Sequence, residues 1–148
     1  MKKFIILSMF FLVGNIALFA NNVDNIIEKI IDDTKKTPEL ILKDNPNSIK
    51  EDGENSFSIR SEEYLKSELG YSWFFSDNKC MSILYNCQYN RRLHNEIISK
   101  FEKKFGKVVA TNGGHVIVNL DDGIIITIFI RNNTIMIEIM INEDSKYR

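Results

Sequence analysis

From Ile124 to Ile141 an isoleucine stands at nearly every second position: Ile124, Ile126, Ile128 and Ile130, then Ile135, Ile137, Ile139 and Ile141 after Asn132-Asn133. A period of two belongs to extended strands, because successive side chains of a strand point to opposite faces, whereas a helix would scatter these residues around its axis. Asn-Asn tolerates the left-handed backbone of a tight turn, so the two runs predict a hairpin with one dry face. A chain carrying this segment is committed to antiparallel sheet, and the dry face must be covered by something else in the fold.

Upstream turn chemistry extends the pattern. Asn112-Gly113 predicts a two-residue turn and Asp121-Asp122-Gly123 a three-residue loop. Four strands follow, at 107–111, 114–120, 124–131 and 134–141. With those turns the dry face also collects Val109, Val116, Val118 and Leu120, since register assigns every side chain of a strand at once. The opposite face is mixed and holds Val108, Ala110, His115, Ile117, Asn119, Ile125, Thr127, Phe129, Arg131, Thr134, Met136, Glu138 and Met140. His115 is thereby grouped with Phe129 and Met136, and Ile117 with Thr127 and Glu138.

Helices are available to cover the dry face. Val23, Ile26, Ile27, Ile30 and Ile31 recur at helical spacing and predict a helix to about Lys35, limited by Pro38. Asn90 is a fitting N-cap for a second helix, Arg91 to Phe105, ended by Gly106. Leu93, Ile97, Ile98, Phe101 and Phe105 form its apolar arc with His94 inside it, while Arg92, Lys100, Lys103 and Lys107 lie opposite. Between these helices, residues 37–56 read as a polar connection holding at most one short strand. A short helix is expected from Ser61 toward Gly70. Tyr71–Ser76 and Lys79–Tyr85 then flank Asp77-Asn78 as a hairpin. Its register places Tyr71, Trp73 and Phe75 with Cys80, Ser82 and Leu84, and Phe74 with Met81, Ile83 and Tyr85. The expected fold is α+β in two layers: an antiparallel sheet built from a hairpin and, after a helix, a four-stranded meander, with helices packed on the Ile-rich face.

The N-terminus has the order of a secretory signal. Met1-Lys2-Lys3 precedes an uncharged run from Phe4 to Ala20, broken only by Ser8, Gly14 and Asn15, and Ala20 suits a cleavage point before Asn21. The run of 17 residues is near the lower limit for a bilayer-spanning helix, so an uncleaved anchor is the competing reading. Cleavage divides the chain into a signal, 1–20, and a single exported domain, 21–148, in the periplasm or outside the cell. Membrane contact is then only transient, through the signal segment. Export makes Cys80 and Cys87 a possible disulfide. A continuous strand opposes that bridge, because seven rises of about 3.3 Å separate the thiols far beyond the roughly 7 Å that a bridge spans.

Charge and motifs narrow the function classes. Nineteen Lys and Arg face 20 Asp and Glu, so no basic excess points to nucleic acid. No phosphate-cradling glycine loop, nucleophile elbow or zinc-protease motif occurs, and no cofactor or metal is expected. Catalytic residues are not assigned. The sequence reads as an exported, non-catalytic binding or interaction module of a bacterial-type cell envelope. Its candidate binding residues are Ile125, Phe129, Arg131, Met136, Glu138, Met140 and His115, facing an envelope protein or a small ligand. The alternative is a small envelope enzyme, or an inhibitor of one, using His115 and Glu138 as an acid/base pair or Cys87. Self-association through 134–141, read as an edge strand, is a third possibility.

Overall fold

The computed structural model describes residues 23–53, 56–119 and 122–146. The expected signal at 1–20 lies outside the described residues. Helix α1 occupies 23–33. It is followed by α2 (Pro38–Asp44), β1 (Ile49–Asp52), β2 (Ser56–Arg60), α3 (Glu62–Ser67), β3 (Gly70–Ser76) and β4 (Lys79–Gln88). Then come α4 (Arg91–Phe105), β5 (Val108–Thr111), β6 (Gly114–Asn119), β7 (Ile124–Arg131) and β8 (Thr134–Ile141). The eight strands form one antiparallel sheet in the order β1-β2-β3-β4-β8-β7-β6-β5. Two four-stranded meanders therefore meet at β4 and β8, and α4 makes the crossover between them.

The α+β expectation holds. Ile124, Ile126, Ile128, Ile135, Ile137, Ile139 and Ile141 are all buried. On their face they meet Val23, Ile26, Ile27 and Ile30 of α1 and Ile97, Phe101 and Phe105 of α4. Asn90 caps α4 by accepting from the backbone N–H groups of Arg92 and Leu93. Asn132 and Asn133 both adopt positive φ, at 48° and 61°, which matches the right-handed twist of a two-residue hairpin.

Four expectations are corrected. The polar connection holds both a helix and a strand: Pro38 opens α2 instead of only closing α1, with Thr37 as its N-cap, and β1 then pairs with β2. Pro at the first helical position loses no hydrogen bond, which is why it can start a helix.

The hairpin β3–β4 begins in the expected register, with Phe75 opposite Cys80, and then shifts. A bulge between Phe74 and Phe75 leaves Met81 as the extra residue, so Trp73 faces Ile83 and Tyr71 faces Tyr85. One inserted residue exchanges the faces of everything beyond it. Leu84 consequently leaves the tryptophan face and joins the opposite one.

The third correction has the same physics. Asn119 pairs with Ile124, so four residues and not three separate the paired ends of β6 and β7. His115 therefore stands opposite Ile128 and Ile117 opposite Ile126, both on the helix-covered face. Val116 moves to the other face opposite Thr127. Gly114 fixes this arrangement: its φ is +150°, and a Cβ there would sit 2.3 Å from the carbonyl oxygen of Ile128. No other residue fits that approach.

Finally, β8 is not an edge. It lies between β4 and β7, with its backbone paired on both sides, and the edges of the sheet are β1 and β5.

A buried polar cluster anchors α1 to the sheet. The Asp33 carboxylate, fully buried, accepts from the Trp73 indole Nε1 at 2.9 Å, from Lys29 Nζ at 2.8 Å and from Lys36 Nζ at 3.0 Å. Burial alone would depress the Lys36 ammonium, but its bonds to Asp32, Asp33 and Asp44 outweigh that and raise its pKa. Lys29 Nζ also lies over the rings of Tyr71 and Trp73, at 5.0 and 5.3 Å from their centroids. A buried acid is tolerable only when paired and hydrogen-bonded in this way.

Candidate functional site

Among the described residues no helix covers the face of β7 and β8 turned away from α1 and α4. That face is built by alternation, so each core isoleucine has an open-face neighbour: Ile125, Thr127 and Phe129 on β7, and Thr134, Met136, Glu138 and Met140 on β8. Cross-strand pairing sets Ile125 against Met140, Thr127 against Glu138, Phe129 against Met136 and Arg131 against Thr134. On the other side of β8, Leu84 stands beside Glu138, Asn86 beside Met136 and Ser82 beside Met140. The Asn86 amide donates to the Glu68 carbonyl at 2.8 Å and ties the segment after α3 to this end of the sheet.

Six of the seven residues expected to bind therefore share one surface: Ile125, Phe129, Arg131, Met136, Glu138 and Met140. Ile125, Phe129, Met136 and Glu138 are half-buried by their strand neighbours, while Met140 and Arg131 are exposed. His115 does not belong with them. Val116, and Leu84 across β8, replace it; the sequence reading missed both because it carried the wrong register on one side and no bulge on the other. Asn119 held the missing signal. An asparagine is poor inside a strand and good at its end, and here its side chain closes the loop by bonding the Phe105 carbonyl, the Asp122 carboxylate and the Asp122 N–H.

The acid/base pair is lost with that register. His115 and Glu138 face opposite sides of the sheet, so no single substrate atom reaches both. Cys80 and Cys87 are not joined to each other. Burial pushes the Cys87 thiol up to about 11, which keeps it protonated at neutral pH and a poor nucleophile. Among the described residues no cluster of three or more His, Cys, Asp or Glu could hold a metal ion.

The chain's two histidines, distant in sequence, meet instead under α4. Their ring centroids lie 5.4 Å apart with the planes at 62°, and the Tyr89 ring centroid stands 6.2 Å from that of His94. Burial first, and His115 second, lower the His94 pKa, while a hydrogen bond with Asn95 opposes them. The unfolded chain therefore binds a proton at His94, near the ordinary value of about 6.5, before the folded chain does. It follows that this contribution to stability is fully present above that value and is lost as pH falls through the interval beneath it. Urea midpoints should drop from pH 7.5 to pH 5.5, and His94→Gln should flatten the drop. An unchanged pH dependence in His94→Gln would contradict the assignment.

The larger clefts among the described residues lie off the β7–β8 face. One, about 420 Å³, separates α1 from α4 and is lined by Asp24, Glu28, Lys100 and Lys103, with Lys100 bonded to Asp24 at 2.7 Å. The other, about 300 Å³, sits beside β1–β3 among Glu51, Asp52, Phe57 and Phe74. No helix among the described residues is long and apolar enough to cross a membrane. Comparison with protein-family models, with curated proteins and with solved structures gave no match.

Proposed function

We propose that this protein is an exported, non-catalytic interaction module of a bacterial-type cell envelope, and that the open sheet face holds a protein partner. The observation that carries the reading is the composition of that face. Leu84, Val116, Ile125, Phe129, Met136 and Met140 are turned away from the helices and share one surface. Soluble proteins seldom place this many apolar side chains on one surface without a use for them. Small ligands are usually held in concave pockets, whereas a broad face whose apolar side chains surround the Thr127–Glu138 pair suits a protein surface. Phe129 and the two methionines supply adaptable apolar contact, and Glu138 and Arg131 supply orienting charge. The four strands that carry these residues, β4, β8, β7 and β6, at spacings of about 4.8 Å give a face roughly 14 Å across. Export rests on the basic head, the uncharged run to Ala20 and the polar residues after it.

The double variant Phe129→Ser/Met136→Ser tests the reading. Expected is loss of partner capture in envelope extracts, by tenfold or more, with far-UV circular dichroism and cooperative unfolding retained. Capture that survives the double change, or a double variant that no longer folds, would show that this face is not a free binding surface.

A further inference from the structure

We infer that the sheet edge at β5 is the pairing surface for a second copy of this chain, joined strand to strand in antiparallel register. The inference concerns the sheet edge and is independent of what the open face binds. An edge strand presents a row of unpaired backbone N–H and C=O groups, and folded proteins ordinarily blunt such an edge with charge, proline or a bulge. The two edges of this sheet are treated differently. β1 carries Lys50, Glu51 and Asp52 among its four residues. β5 is Val108-Val109-Ala110-Thr111, without a charge, a proline or a glycine, and Val109, Ala110 and Thr111 are exposed. Val109 is 56% exposed, more than the other exposed large apolar residues of the described chain.

The occupant follows from symmetry. Two copies related by a two-fold axis perpendicular to the sheet keep their helices on the same side, so paired residues must come from the same face. An axis through Val109 sets Val109 against the partner's Val109 on the open side. It sets Val108 against the partner's Ala110 on the helix side, and Lys107 against the partner's Thr111. No like charges meet. The same operation at β1 is poorer, because axes through Lys50, Glu51 and Asp52 oppose like charges and an axis through Ile49 overlaps the two strands at that residue alone. Pairing β1 with β5 would be head-to-tail and open-ended. Pairing β5 with β5 closes without opposing like charges, and it makes one continuous sheet of sixteen strands with both open faces on the same side.

Sedimentation equilibrium on the purified protein is the test, over about 10 μM to 1 mM, since four-residue edges form a small and weak interface. The wild type should shift from monomer to dimer across that range. Val109→Lys, and separately Thr111→Lys, which sets a second lysine opposite the partner's Lys107, should remain monomeric with unchanged circular dichroism. Val109→Cys should form a disulfide-linked dimer under mild oxidation, because residues facing each other across an antiparallel axis lie within bridging distance. A monomer at 1 mM, or a dimer that survives both lysine variants, overturns the inference. A dimer abolished by Phe129→Ser/Met136→Ser but not by Val109→Lys assigns the contact to the open face and overturns it too.

Discussion

Replacing Asp33 by alanine is expected to lower the unfolding free energy by roughly 3 kcal/mol, the low end of the range for breaking a buried charge pair. The carboxylate is fully buried and joins Trp73 of β3 to Lys29 of α1 and to Lys36 beyond it. Its removal orphans the buried indole N–H and takes an anion from both ammonium groups, although Lys36 keeps Asp32 and Asp44. Those ammonium groups are the reason for choosing the low end: Lys29 and Lys36 side chains keep 32% and 21% exposure and can turn to water. Trp73 cannot, because it is 0% exposed. Asp33→Asn preserves an acceptor for the indole and should lose only about half as much. Thermal midpoints check both, with a fall of about 10 °C expected for alanine in a domain of this size. A change within about 0.5 kcal/mol for Asp33→Ala would mean that α1 is held by its isoleucines alone.

The second large effect comes from two neighbours on β8. Ile137 is fully buried, flanked by Ile128 on β7 and Tyr85 on β4. Ile137→Ala should cost about 3–4 kcal/mol through lost apolar transfer and the cavity it leaves. Met136, one residue earlier, faces the other way beside Phe129 and Asn86. Met136→Ser should stay within about 1 kcal/mol, as changes outside the core usually do. Urea unfolding of the two variants measures the asymmetry of the sheet directly. Equal losses would make both faces core and remove the surface on which the interaction reading depends.

The isoleucine repeat made the C-terminal hairpin legible because alternation and an Asn-Asn turn agree on one register. The same agreement located α4 to the residue, since Asn90, the apolar arc and Gly106 all mark its bounds. The errors lie where a single residue decides parity. Met81 enters β4 as a bulge, and nothing in its own chemistry distinguishes it from a paired strand residue. Four residues separate the paired Asn119 and Ile124 where the acidic pair and glycine suggested three. Each slip exchanges the two faces of a strand, and the second carried His115 into the binding set and away from His94.

Contacts between distant segments were not legible at all. Asp33 and Trp73 are 40 residues apart, and no local pattern announces that the one carboxylate of α1 placed on its apolar side will meet an indole. β1 was hidden because its sequence, Ile49-Lys50-Glu51-Asp52, is nearly all charged, and it is a strand only because β2 offers it a partner. The open face survived these errors because β7 and β8 supply six of its residues, and their register was set by the isoleucines opposite.

Site-specific photocross-linking at Phe129 in living cells tests the central claim most directly. A benzophenone side chain placed there samples only what lies on the open face of the sheet, and the same group at exposed Glu63 on α3 serves as the control. The account predicts a discrete adduct with an envelope protein from position 129 and none from position 63. No adduct at 129, or the same adducts from both positions, would contradict the assignment of that face as the protein's binding surface.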